Sequence, residues 1–547
     1  MHERWYKRAI IYCLDVQTFQ DSNGDGIGDL AGLTSRLDYL ARLGVTCLWL
    51  NPIHPSPDRD DGYDVADFYG VDPNIGSLGD FVELVHQAGS RGLRVMIDLV
   101  VNHTSNEHPW FQSARSDPAS PFRDWYVWTE EEPENLIQGV VFPGVQERTW
   151  SYDDAAGAWY FHRFHDFQPD LNTANPAVRE EIAKIMAFWL QLGVAGFRMD
   201  AAPFVIELTR PGEPDSPKDF GYLNEVRRAL SWHRGDAVIL AEANVESDEL
   251  LKYFGGGDRL PMLFNFMLNQ RLFLGLARSD SRPVLAELQN TPEIPETCQW
   301  ATFLRNHDEI DLGRLSDDER AEVFAAFGPE PEMQIYERGI RRRLAPMLGG
   351  DRPRIEMAYA LQLTLPGTPV LRYGEEIGMG DDLSLEERNA IRTPMQWTDQ
   401  RNAGFSTADA GGLVHPVISD GDFGYQRVNV AAQRRDPTSL LSWFERALRT
   451  FRECPEFNVG ECRPLDSGVT SVLALRYEAP SGVVVAVTNL ADQSCTVDLG
   501  SQPGASGHPL EVFANRDYDD VGEGLGAVEL DAFGYRWFRL RRLDVQR

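Results

Sequence analysis

The sequence predicts an α/β fold, a (β/α)8 barrel followed by an all-β domain. Short, continuously apolar segments alternate with amphipathic segments over most of the chain, as in parallel sheets that are buried on both faces. Eight such apolar segments precede residue 377, and eight is the strand number of a TIM barrel. After residue 454, short strands separated by turn residues replace this alternation, which is typical of a β-sandwich.

The predicted barrel strands are short apolar runs that end in polar residues. Segments with helical periodicity separate them, for example LAGLTSRLDYLARLG and NPAVREEIAKIMAFWLQLG. In chain order, we predict the strands at 9–16, 45–52, 94–103, 196–202, 237–243, 262–266, 301–307 and 369–376.

Two long segments interrupt the alternation. Residues 104–167 are rich in Pro, Asp, Trp and Ser and show no helical period, so we predict an inserted B domain after strand three. The segment from about 309 to 368 is too long for a barrel loop, and we expect it to fold over the rim as a lid; the alternative is a decorative insertion. The predicted domains are the barrel's first part (1–103), the B domain (104–167), the barrel's second part (168–454) and the β-sandwich (455–547).

Composition limits the partners and the compartment. The 547 residues carry a net charge of -32, which argues against nucleic acids and anionic membranes because both require a cationic surface. We find no signal peptide pattern and no apolar stretch long enough to span a bilayer. The six cysteines form no CxxC pair, so we expect free thiols and a cytoplasmic location. The oligomeric state stays open, with a homo-oligomer as one alternative.

Charged side chains follow the predicted strands at the end where TIM barrels place their active sites. In GFRMD, alternation along the strand directs Arg and Asp to one face and Phe and Met to the other, within an apolar context. Polar or charged side chains stand at the ends of four predicted strands. They are Asn102 and His103 (strand three), Arg198 and Asp200 (four), Glu242 (five), and His307 and Asp308 (seven).

Two facing carboxylates suit the cleavage of a glycosidic bond. One ionised group attacks the anomeric carbon, and one protonated group donates to the departing oxygen. We expect Arg198 to keep Asp200 ionised, because a neighbouring cation lowers the pKa of an acid. Glu242 follows the apolar run AVILA, where desolvation raises the pKa and suits a general acid. The two histidines and the third carboxylate can bind sugar hydroxyls.

The stretches DLVVNH, QPDLN, GFRMD, AEAN and RNHDE resemble, in order, the signature stretches of the α-amylase superfamily, glycoside hydrolase family 13. The resemblance extends over nearly the whole chain. It implies Asp200 as the nucleophile, Glu242 as the general acid/base and Asp308 as the transition-state stabiliser. It also implies a set of substrate-binding residues, which are Asp60, Tyr63, His103, Gln168, Arg198, His307 and Arg392.

The stretch DSNGDGIGDL places oxygen-bearing side chains at alternate positions of a Gly-rich turn, which suits Ca²⁺. It resembles half of an EF-hand loop but lacks the glutamate at the twelfth position, and an Asx-turn without metal is the alternative. The family resemblance implies a structural Ca²⁺ (or Mg²⁺) site and a second metal site at the junction with the B domain. The ligands would be Asp21, Asn23, Asp25, Ile27 and Asp29 at the first site, and Asn102, Asp170 and Glu207 at the second. No organic cofactor is expected.

Further stretches, including GIRRRLAPMLGGDRPRIEMAYALQLTLPGTPV and GEEIGMGDDLSLEERNAIRTPMQW, resemble the maltose α-D-glucosyltransferases of this family. The implied reaction converts maltose to α,α-trehalose by an intramolecular double displacement through a β-glucosyl-enzyme, with side hydrolysis to glucose. Two departures favour the alternative of an α-glucosidase or oligo-1,6-glucosidase. They are Val245–Ser247, where relatives have Gln-Trp-Pro, and the segment Asn51–Pro57. A non-catalytic transporter partner is disfavoured because all three acids are present.

Overall fold

The computed structural model describes residues 4–209 and 216–542, so the outermost residues of the first and last predicted domains and residues 210–215 lie outside the described chain. The strands are β1 (Ile11–Leu14), β2 (Cys47–Leu50), β3 (Arg94–Leu99), β4 (Trp128–Thr129), β5 (Trp150–Asp153), β6 (Ala158–Phe161), β7 (Gly196–Met199), β8 (Val238–Ala241), β9 (Met262–Phe264), β10 (Gln299–Phe303), β11 (Ile310–Asp311), β12 (Gln334–Ile335), β13 (Gly339–Ile340), β14 (Thr368–Arg372), β15 (Glu461–Leu465), β16 (Val472–Ala479), β17 (Gly482–Asn489), β18 (Cys495–Val497), β19 (Ala505–Ala514), β20 (Val528–Leu530) and β21 (Tyr535–Arg542). The α-helices are α1 (Leu30–Ser35), α2 (Leu37–Leu43), α3 (Leu78–Ser90), α4 (Pro109–Ser116), α5 (Pro176–Gln191), α6 (Ala202–Val205), α7 (Phe220–His233), α8 (Ser247–Phe254), α9 (Phe266–Arg278), α10 (Arg282–Asn290), α11 (Asp317–Phe327), α12 (Leu344–Met347), α13 (Arg352–Thr364), α14 (Val430–Gln433), α15 (Leu440–Glu453) and α16 (Glu456–Val459).

Eight parallel strands close into a barrel in the order β1-β14-β10-β9-β8-β7-β3-β2, which confirms the predicted fold class. All eight predicted strands are present, and each ends earlier than predicted. The first residues beyond the strand ends still contact the neighbouring strands, since the backbone N–H groups of Asp200 and Glu242 donate to the carbonyls of Leu99 and Met199. The catalytic candidates therefore lie at or just beyond the strand ends. For example, Asn102 and His103 follow the last residue of β3 by three and four positions.

The segment between β3 and β7 forms its own antiparallel sheet, in the order β4-β6-β5. It also contains the helix α4, which the sequence did not predict. This helix is only eight residues long, too short to show a clear period, and it begins where the ring of His108 accepts the backbone N–H of Trp110. Phe111 and Ala114 bury its inner side.

The long segment between β10 and β14 contains the small sheet β11-β13-β12 and the helices α11, α12 and α13. The hairpin of β12 and β13 turns through Tyr336 and Glu337, which both have positive φ (53° and 61°). Non-glycine side chains adopt this conformation at a cost, so the surrounding contacts must hold the turn in place.

The C-terminal part is an antiparallel sheet in the order β15-β16-β17-β21-β19, with the pair β18-β20 as a second sheet. Val472, Val485, Val528 and Phe538 belong to the apolar core that the strands of both sheets build. Helix α13 contacts β17 and β21 of the larger sheet. The six cysteines, all within the described chain, are free thiols. None of the described helices has the length and the apolar character that a bilayer span requires.

Candidate active site

A cavity of about 530 Å³ lies at the carboxyl ends of the barrel strands. Seven of the predicted catalytic and substrate-binding residues line it, from five different loops and strand ends. They are Asp60, Tyr63, His103, Asp200, Glu242, His307 and Asp308. Aromatic side chains and arginines complete the wall, among them Phe142, Phe164, Phe204 and Arg388. The structure thus brings the predicted carboxylates together in one pocket.

Arg198 organises two of these carboxylates at the bottom of the cavity. It lies within β7, is 1% exposed and points to the same face of the strand as Asp200. One guanidinium nitrogen, Nη1, lies 2.9 Å from Asp200 Oδ1, and the other, Nη2, lies 2.6 Å from Glu242 Oε1. The polar face of GFRMD therefore points into the barrel, where it holds two acids in fixed positions.

The residue after the predicted nucleophile, Ala201, has a left-handed backbone (φ 49°) and ends the strand sharply in front of helix α6. A left-handed conformation costs an alanine roughly 1 kcal/mol or more, so the surrounding structure imposes this turn. The turn leaves the side chain of Asp200 at the cavity surface while the chain folds back towards the barrel wall.

Asp98 is a third acid on Arg198 that the sequence did not single out. Its Oδ1 lies 3.1 Å from Arg198 Nη1, and its carboxylate also accepts from the Trp49 indole (3.1 Å) and from the Tyr63 hydroxyl (2.9 Å). The sequence did contain a signal for Asp98, because an aspartate inside the apolar strand run RVMIDLVV is unusual. Asp98 orients the arginine, so that its terminal nitrogens stay directed at the catalytic pair.

Burial and local charge give the three carboxyl groups of the cavity different pKa values. Burial raises the pKa of Glu242 to about 8, with Arg198 opposing and Asp308 and Asp200 adding to the rise. Burial also raises the pKa of Asp200, although Arg198 and Arg388 both pull it down. Arg198 thus acts on Asp200 in the expected direction, but desolvation is the larger effect and the net shift of the pKa is upward. Glu242 remains the group that holds a proton near neutral pH.

Asp308 has the opposite environment. Its Oδ1 lies 2.6 Å from Arg388 Nη1 and 3.1 Å from Arg392 Nη2, and its Oδ2 lies 3.0 Å from His307 Nε2. Although burial opposes it, the pKa of Asp308 falls well below its usual value because of His307 and the two arginines. Asp308 is thus a fixed negative charge in the cavity wall. Arg388 was not predicted; it precedes Arg392 by four residues, and both point to the same carboxylate.

Tyr63 links the carboxylate groups to the histidine. Its ring stacks on His307 with centroids 5.6 Å apart, and the hydroxyl lies 2.6 Å from His307 Nε2. Arg198 Nη1 donates to the same hydroxyl at 3.2 Å. Burial lowers the pKa of His307 to about 3, so its ring is neutral in the working range of an enzyme.

The remaining predicted substrate residues fall into two groups. Asp60 and His103 line the cavity, and the ring nitrogen Nε2 of His103 lies 3.0 Å from the Tyr63 carbonyl. Gln168, Arg198 and Arg392 do not line it; they lie behind the wall and hold the acids that do. Gln168, for example, donates to Asp60 at 2.8 Å.

We call Val141, Phe142, Tyr336 and Arg338 the roof of the site. The first two belong to the segment after β3, and the last two to the hairpin between β10 and β14. The rings of Phe142 and Tyr336 lie 4.8 Å apart, and Arg338 Nη2 donates to the Val141 carbonyl at 3.0 Å. The lid-like segment therefore meets the inserted segment across the cavity.

Hydrogen bonds also tie the roof to the catalytic strand ends. Arg338 Nε lies 3.3 Å from Asp311 Oδ2, and this same oxygen accepts from the side chain of Asn244 at 3.1 Å. Asn244 follows Glu242 by two residues and lines the cavity. The guanidinium of Arg388 lies 4.9 Å from the Phe142 ring and 5.6 Å from the Tyr336 ring while it binds Asp308. We call the set Arg198, Asp200, Glu242 and Asp308 the floor; Asn244, Asp311 and Arg388 connect it to the roof.

In the first predicted metal loop, the carboxylates bind the backbone of their own loop. Asp21 accepts from the N–H groups of Asn23, Gly24 and Gly26, and Asp25 accepts from that of Ile27, as in Asx-turns. Asp29 accepts from the N–H groups of Ser22 and of Gly32, where it caps helix α1. No three His, Cys, Asp or Glu side chains of the described chain are grouped so that they could hold a metal ion. As arranged, the loop does not fit a cation, and the site at Asp21, Asn23, Asp25, Ile27 and Asp29 stays a prediction.

The second predicted metal site has a better donor arrangement. A small enclosed space of about 10 Å³, roughly the volume needed for one water or ion, is lined by Asp170 and Glu207. The hydroxyl of Thr173, which also lines it, is buried and has no hydrogen-bond partner among the described residues. Burial raises the pKa of Asp170 to about 7, although the backbone N–H and the charge of Arg163 oppose the rise. Arg163, however, already pairs with Glu207 at 2.5 Å. This site, with Asn102, also stays a prediction.

Comparison with known proteins identifies the family. The profile of the α-amylase catalytic domain matches residues 13–326 and 340–458. The chain belongs to the α-amylase family. Residues 482–539 match the C-terminal domain of sucrose hydrolase-like proteins.

Among relatives within the α-amylase family, the trehalose synthase/amylase of Mycolicibacterium smegmatis is 42% identical over 99% of this chain and 93% of its own length. The trehalose synthase of Pimelobacter sp. is 41% identical over 99% of this chain and 96% of its own length. The crystal structure of the α-amylase from H. orenii superposes with a TM-score of 0.79 at 27% identity, over 98% of this chain and 100% of the other. The trehalulose synthase MutB from Pseudomonas mesoacidophila, at 24% identity and a TM-score of 0.79 over 98% of this chain and 99% of the other, shares the fold.

Proposed function

We propose that this member of the α-amylase family is a retaining enzyme that isomerises maltose to α,α-trehalose, with some side hydrolysis to glucose. The observation that carries the proposal is the pair Asp200 and Glu242, bound to the two nitrogens of one buried guanidinium inside a roofed cavity. Because both acids pair with one guanidinium, they are close together, and a short separation of the two carboxyl groups (about 5 Å) is what retaining enzymes require. The named trehalose synthases, 41% and 42% identical over nearly the whole chain, support the choice of substrate.

In the first step, the Asp200 carboxylate attacks C1 of the non-reducing glucose of maltose. The bond from C1 to the bridging oxygen breaks, and the proton of Glu242 goes to that oxygen, which leaves as the 4-hydroxyl of the second glucose. The raised pKa of Glu242, about 8, supports this role because the group still carries its proton at neutral pH. Asp308, held as a fixed anion, stabilises the positive charge that develops on the sugar ring.

In the second step, the released glucose turns within the cavity and presents its anomeric hydroxyl. Glu242, now a carboxylate, takes the proton of that hydroxyl, and the oxygen attacks C1 of the glucosyl-enzyme. The ester bond to Asp200 breaks, and Asp200 leaves as a carboxylate. Two inversions at C1 retain the α configuration, which is the configuration of α,α-trehalose.

Retention of the released glucose decides between isomerisation and hydrolysis. Water has a bulk concentration of about 55 M, whereas a well-positioned reactant reaches an effective molarity of about 10⁵ M or more. The contacts between Phe142 and Tyr336 and between Arg338 and Val141 support such retention, because they bridge part of the cavity above the floor. The roof thus favours the sugar acceptor over water.

A second candidate function is α-glucosidase activity, which the position of Val245 favours. Val245 lines the cavity directly after Asn244, and it is the first of the three residues at which the family resemblance implies Gln-Trp-Pro. An apolar side chain at this position offers the acceptor sugar no hydrogen bond. Weaker binding of the acceptor would give water the advantage and release glucose.

The deciding experiment is incubation of the purified protein with maltose, followed by chromatographic separation of trehalose and glucose. We expect trehalose as the main product and glucose as a minor one. Isotopically labelled glucose, added with unlabelled maltose, should barely enter the trehalose because the acceptor does not leave the cavity. Glucose as the sole product would establish the α-glucosidase, and free incorporation of label would establish an intermolecular transfer.

We further propose a cytoplasmic location and a structural divalent cation, Ca²⁺ or Mg²⁺, that takes no part in the chemistry. The six free cysteines support a reducing compartment. The buried hydroxyl of Thr173 next to Asp170, which lacks a partner in the described chain, supports a bound ion at the second predicted site. A cation at the first site requires the carboxylates of that loop to turn away from the backbone N–H groups that they now bind.

A further inference from the structure

The outer wall of the barrel carries a groove between helices α5 and α7. It has a volume of about 440 Å³, and apolar side chains of both helices line it. They are Ile182, Ala183 and Met186 of α5, and Val226 and Ala229 of α7. None of these residues lines the 530 Å³ cavity, so the groove is separate from the active site. An apolar groove on a protein surface is typical of a place where another molecule binds.

One polar group of the groove lacks a partner. The side chain of Tyr222, which also lines the groove, is 2% exposed, and its hydroxyl makes no hydrogen bond to any described residue. The Arg179 guanidinium lies 4.4 Å from the Tyr222 ring, but it is bound to Asp219 (2.6 Å) and to Glu225 (3.2 Å). Because buried hydroxyls are normally hydrogen-bonded, an incoming polar group would complete this end of the groove.

The same helix carries a tryptophan in an unusual environment. Trp232, in the last turn of α7, is 87% exposed, although tryptophans are highly buried on average. It follows Glu225, which lines the groove, by seven residues, and two helical turns place both residues on one face of α7. Aromatic side chains are enriched at interfaces between proteins. The groove and the tryptophan therefore belong to one surface.

The spacing of the groove and the tryptophan is self-complementary. Tyr222 and Trp232 lie ten residues apart, about 15 Å along α7 at 1.5 Å per residue. A two-fold axis perpendicular to α7 at Arg227, midway between them, runs the helices of two copies antiparallel. It thereby places Trp232 of each copy opposite Tyr222 of the other.

The charges of this surface also suit a second copy of the chain. The whole chain has a net charge of -32, so most pairings of two copies are opposed by repulsion. Helices α5 and α7 together carry four Lys and Arg residues and three Glu residues, a net charge of +1. With both signs mixed on this surface, two copies can approach there without the repulsion of the rest of the chain. A nucleic acid or a strongly basic protein finds little opposite charge there.

We propose that the surface of α5 and α7 is an interface between two copies of this chain, in which Trp232 of each copy fills the groove of the other. The indole packs among the apolar side chains, and its N–H donates to the Tyr222 hydroxyl, which has no partner among the described residues of one copy. Both contacts occur twice because of the two-fold symmetry. No residue that lines the catalytic cavity also lines the groove.

Sedimentation equilibrium of the full chain tests the interface. We expect the wild type to associate. Trp232→Ala removes the indole and Ala229→Arg fills the groove, so each should raise the dissociation constant of the complex at least tenfold. Tyr222→Phe should raise it a few-fold, because one hydrogen bond at each groove is lost while the ring stays. Leu510→Ala is the matched control, since Leu510 is an apolar residue of the β-sandwich that is 64% exposed, and it should associate like the wild type.

Cleavage of an aryl glucoside should equal that of the wild type in all four variants, which shows that they fold. Trp232 is so exposed in one copy that its replacement does not disturb the fold, and a loss of association then reports the interface alone. A wild type that stays monomeric up to its solubility limit would overturn the proposal, and the groove would have another occupant. An unchanged dissociation constant in both Trp232→Ala and Ala229→Arg would also overturn it, because the copies would then meet through a different face.

Discussion

The floor and the roof of the cavity differ in how the chain builds them. The floor comes from barrel strand ends, and its charged residues form a network in which Arg198 holds Asp200 and Glu242 at 2.9 and 2.6 Å. The roof comes from two long segments, and a ring contact and a charged hydrogen bond join them directly. The two segments of the roof thus meet each other through few direct contacts, whereas one arginine joins the acids of the floor.

This difference indicates that the floor and the roof have different functions. Regular strands fix charges to within fractions of an ångström, which the chemistry at C1 requires. Loops that meet through few contacts open and close at low cost, which substrate binding and product release require. Changes in the floor should therefore affect turnover, and changes in the roof should affect which acceptor is used.

The largest effect is expected from Asp200→Asn in the floor. The variant loses the attacking oxyanion, so turnover should fall by on the order of 10⁴-fold or more. The amide has the same size and still fits beside Arg198, so the circular dichroism spectrum and the melting profile should stay close to those of the wild type. Asp38→Asn is the matched control, since Asp38 is an exposed carboxylate paired with Arg91. Wild-type turnover in the Asp200→Asn protein would show that Asp200 is not the nucleophile.

The second prediction concerns the pH dependence of the floor. Glu242 must be protonated in the first step, and its pKa is raised to about 8, so kcat/KM should fall about tenfold per pH unit above this value. At low pH, kcat/KM falls because Asp200 must be ionised to attack. Since the pKa of Asp200 is raised, this fall should begin at a higher pH than for an ordinary aspartate. The measurement is kcat/KM for maltose across the pH range.

An aryl glucoside with an acidic leaving group provides the control for this profile. Its leaving group needs no proton, so the limb near pH 8 should flatten with this substrate. Glu242→Gln should keep part of its cleavage of the aryl glucoside and lose that of maltose. A limb that persists in Glu242→Gln would belong to another group of the coupled cluster.

The sequence predicted the floor well because strand alternation and strand ends are local properties. Arg198, Asp200, Glu242 and Asp308 could each be placed from the few residues around them. Asp98 was not predicted, although an acid inside an apolar strand is itself a signal, because its role depends on Arg198, which stands opposite it on the neighbouring strand. The barrel itself followed from the same local alternation.

The roof could not be predicted in this way. That Phe142 meets Tyr336, and that Arg338 reaches the carbonyl of Val141, depends on how the barrel places two segments almost 200 residues apart. The sequence showed that both segments are long and led us to expect that the second folds over the rim, but it did not show which residues meet.

The third prediction tests the roof. Arg338→Gln loses the charged hydrogen bond to Val141 and the ion pair to Asp311, and a hydrogen bond of a charged donor is typically worth about 1.5–3 kcal/mol. We expect the ratio of glucose to trehalose to rise on the order of tenfold, because about 1.4 kcal/mol is a factor of ten. Cleavage of an aryl glucoside, which reports the first step, should change little.

Arg341→Gln is the matched control for the roof. Arg341 lies in the same segment, but it does not line the cavity, and its guanidinium donates to the carbonyls of Glu332, Leu383, Leu385 and Glu387 instead of to Val141. Its product ratio should equal that of the wild type. An unchanged ratio of glucose to trehalose in Arg338→Gln would show that the roof does not determine whether glucose or water is the acceptor. The proposed functional difference between floor and roof would then be wrong.

The smallest effect is expected from removal of the predicted cation, which belongs to neither floor nor roof. An ion that binds only the folded state stabilises it by mass action, so EDTA should lower the melting temperature by a few degrees. Turnover measured well below that temperature should not change, because no step of the proposed reaction uses the ion. Elemental analysis of the purified protein detects an ion that is bound too tightly for EDTA to remove.

Two variants separate the predicted cation sites. Asp170→Asn should abolish the EDTA effect if the ion lies beside Thr173, because it removes one of the carboxylates that line that space. Asp21→Asn should abolish it if the ion lies in the Gly-rich loop, where Asp21 would be a ligand. If no metal is found and EDTA has no effect, the Gly-rich loop is an Asx-turn held by its own backbone, as its present hydrogen bonds indicate.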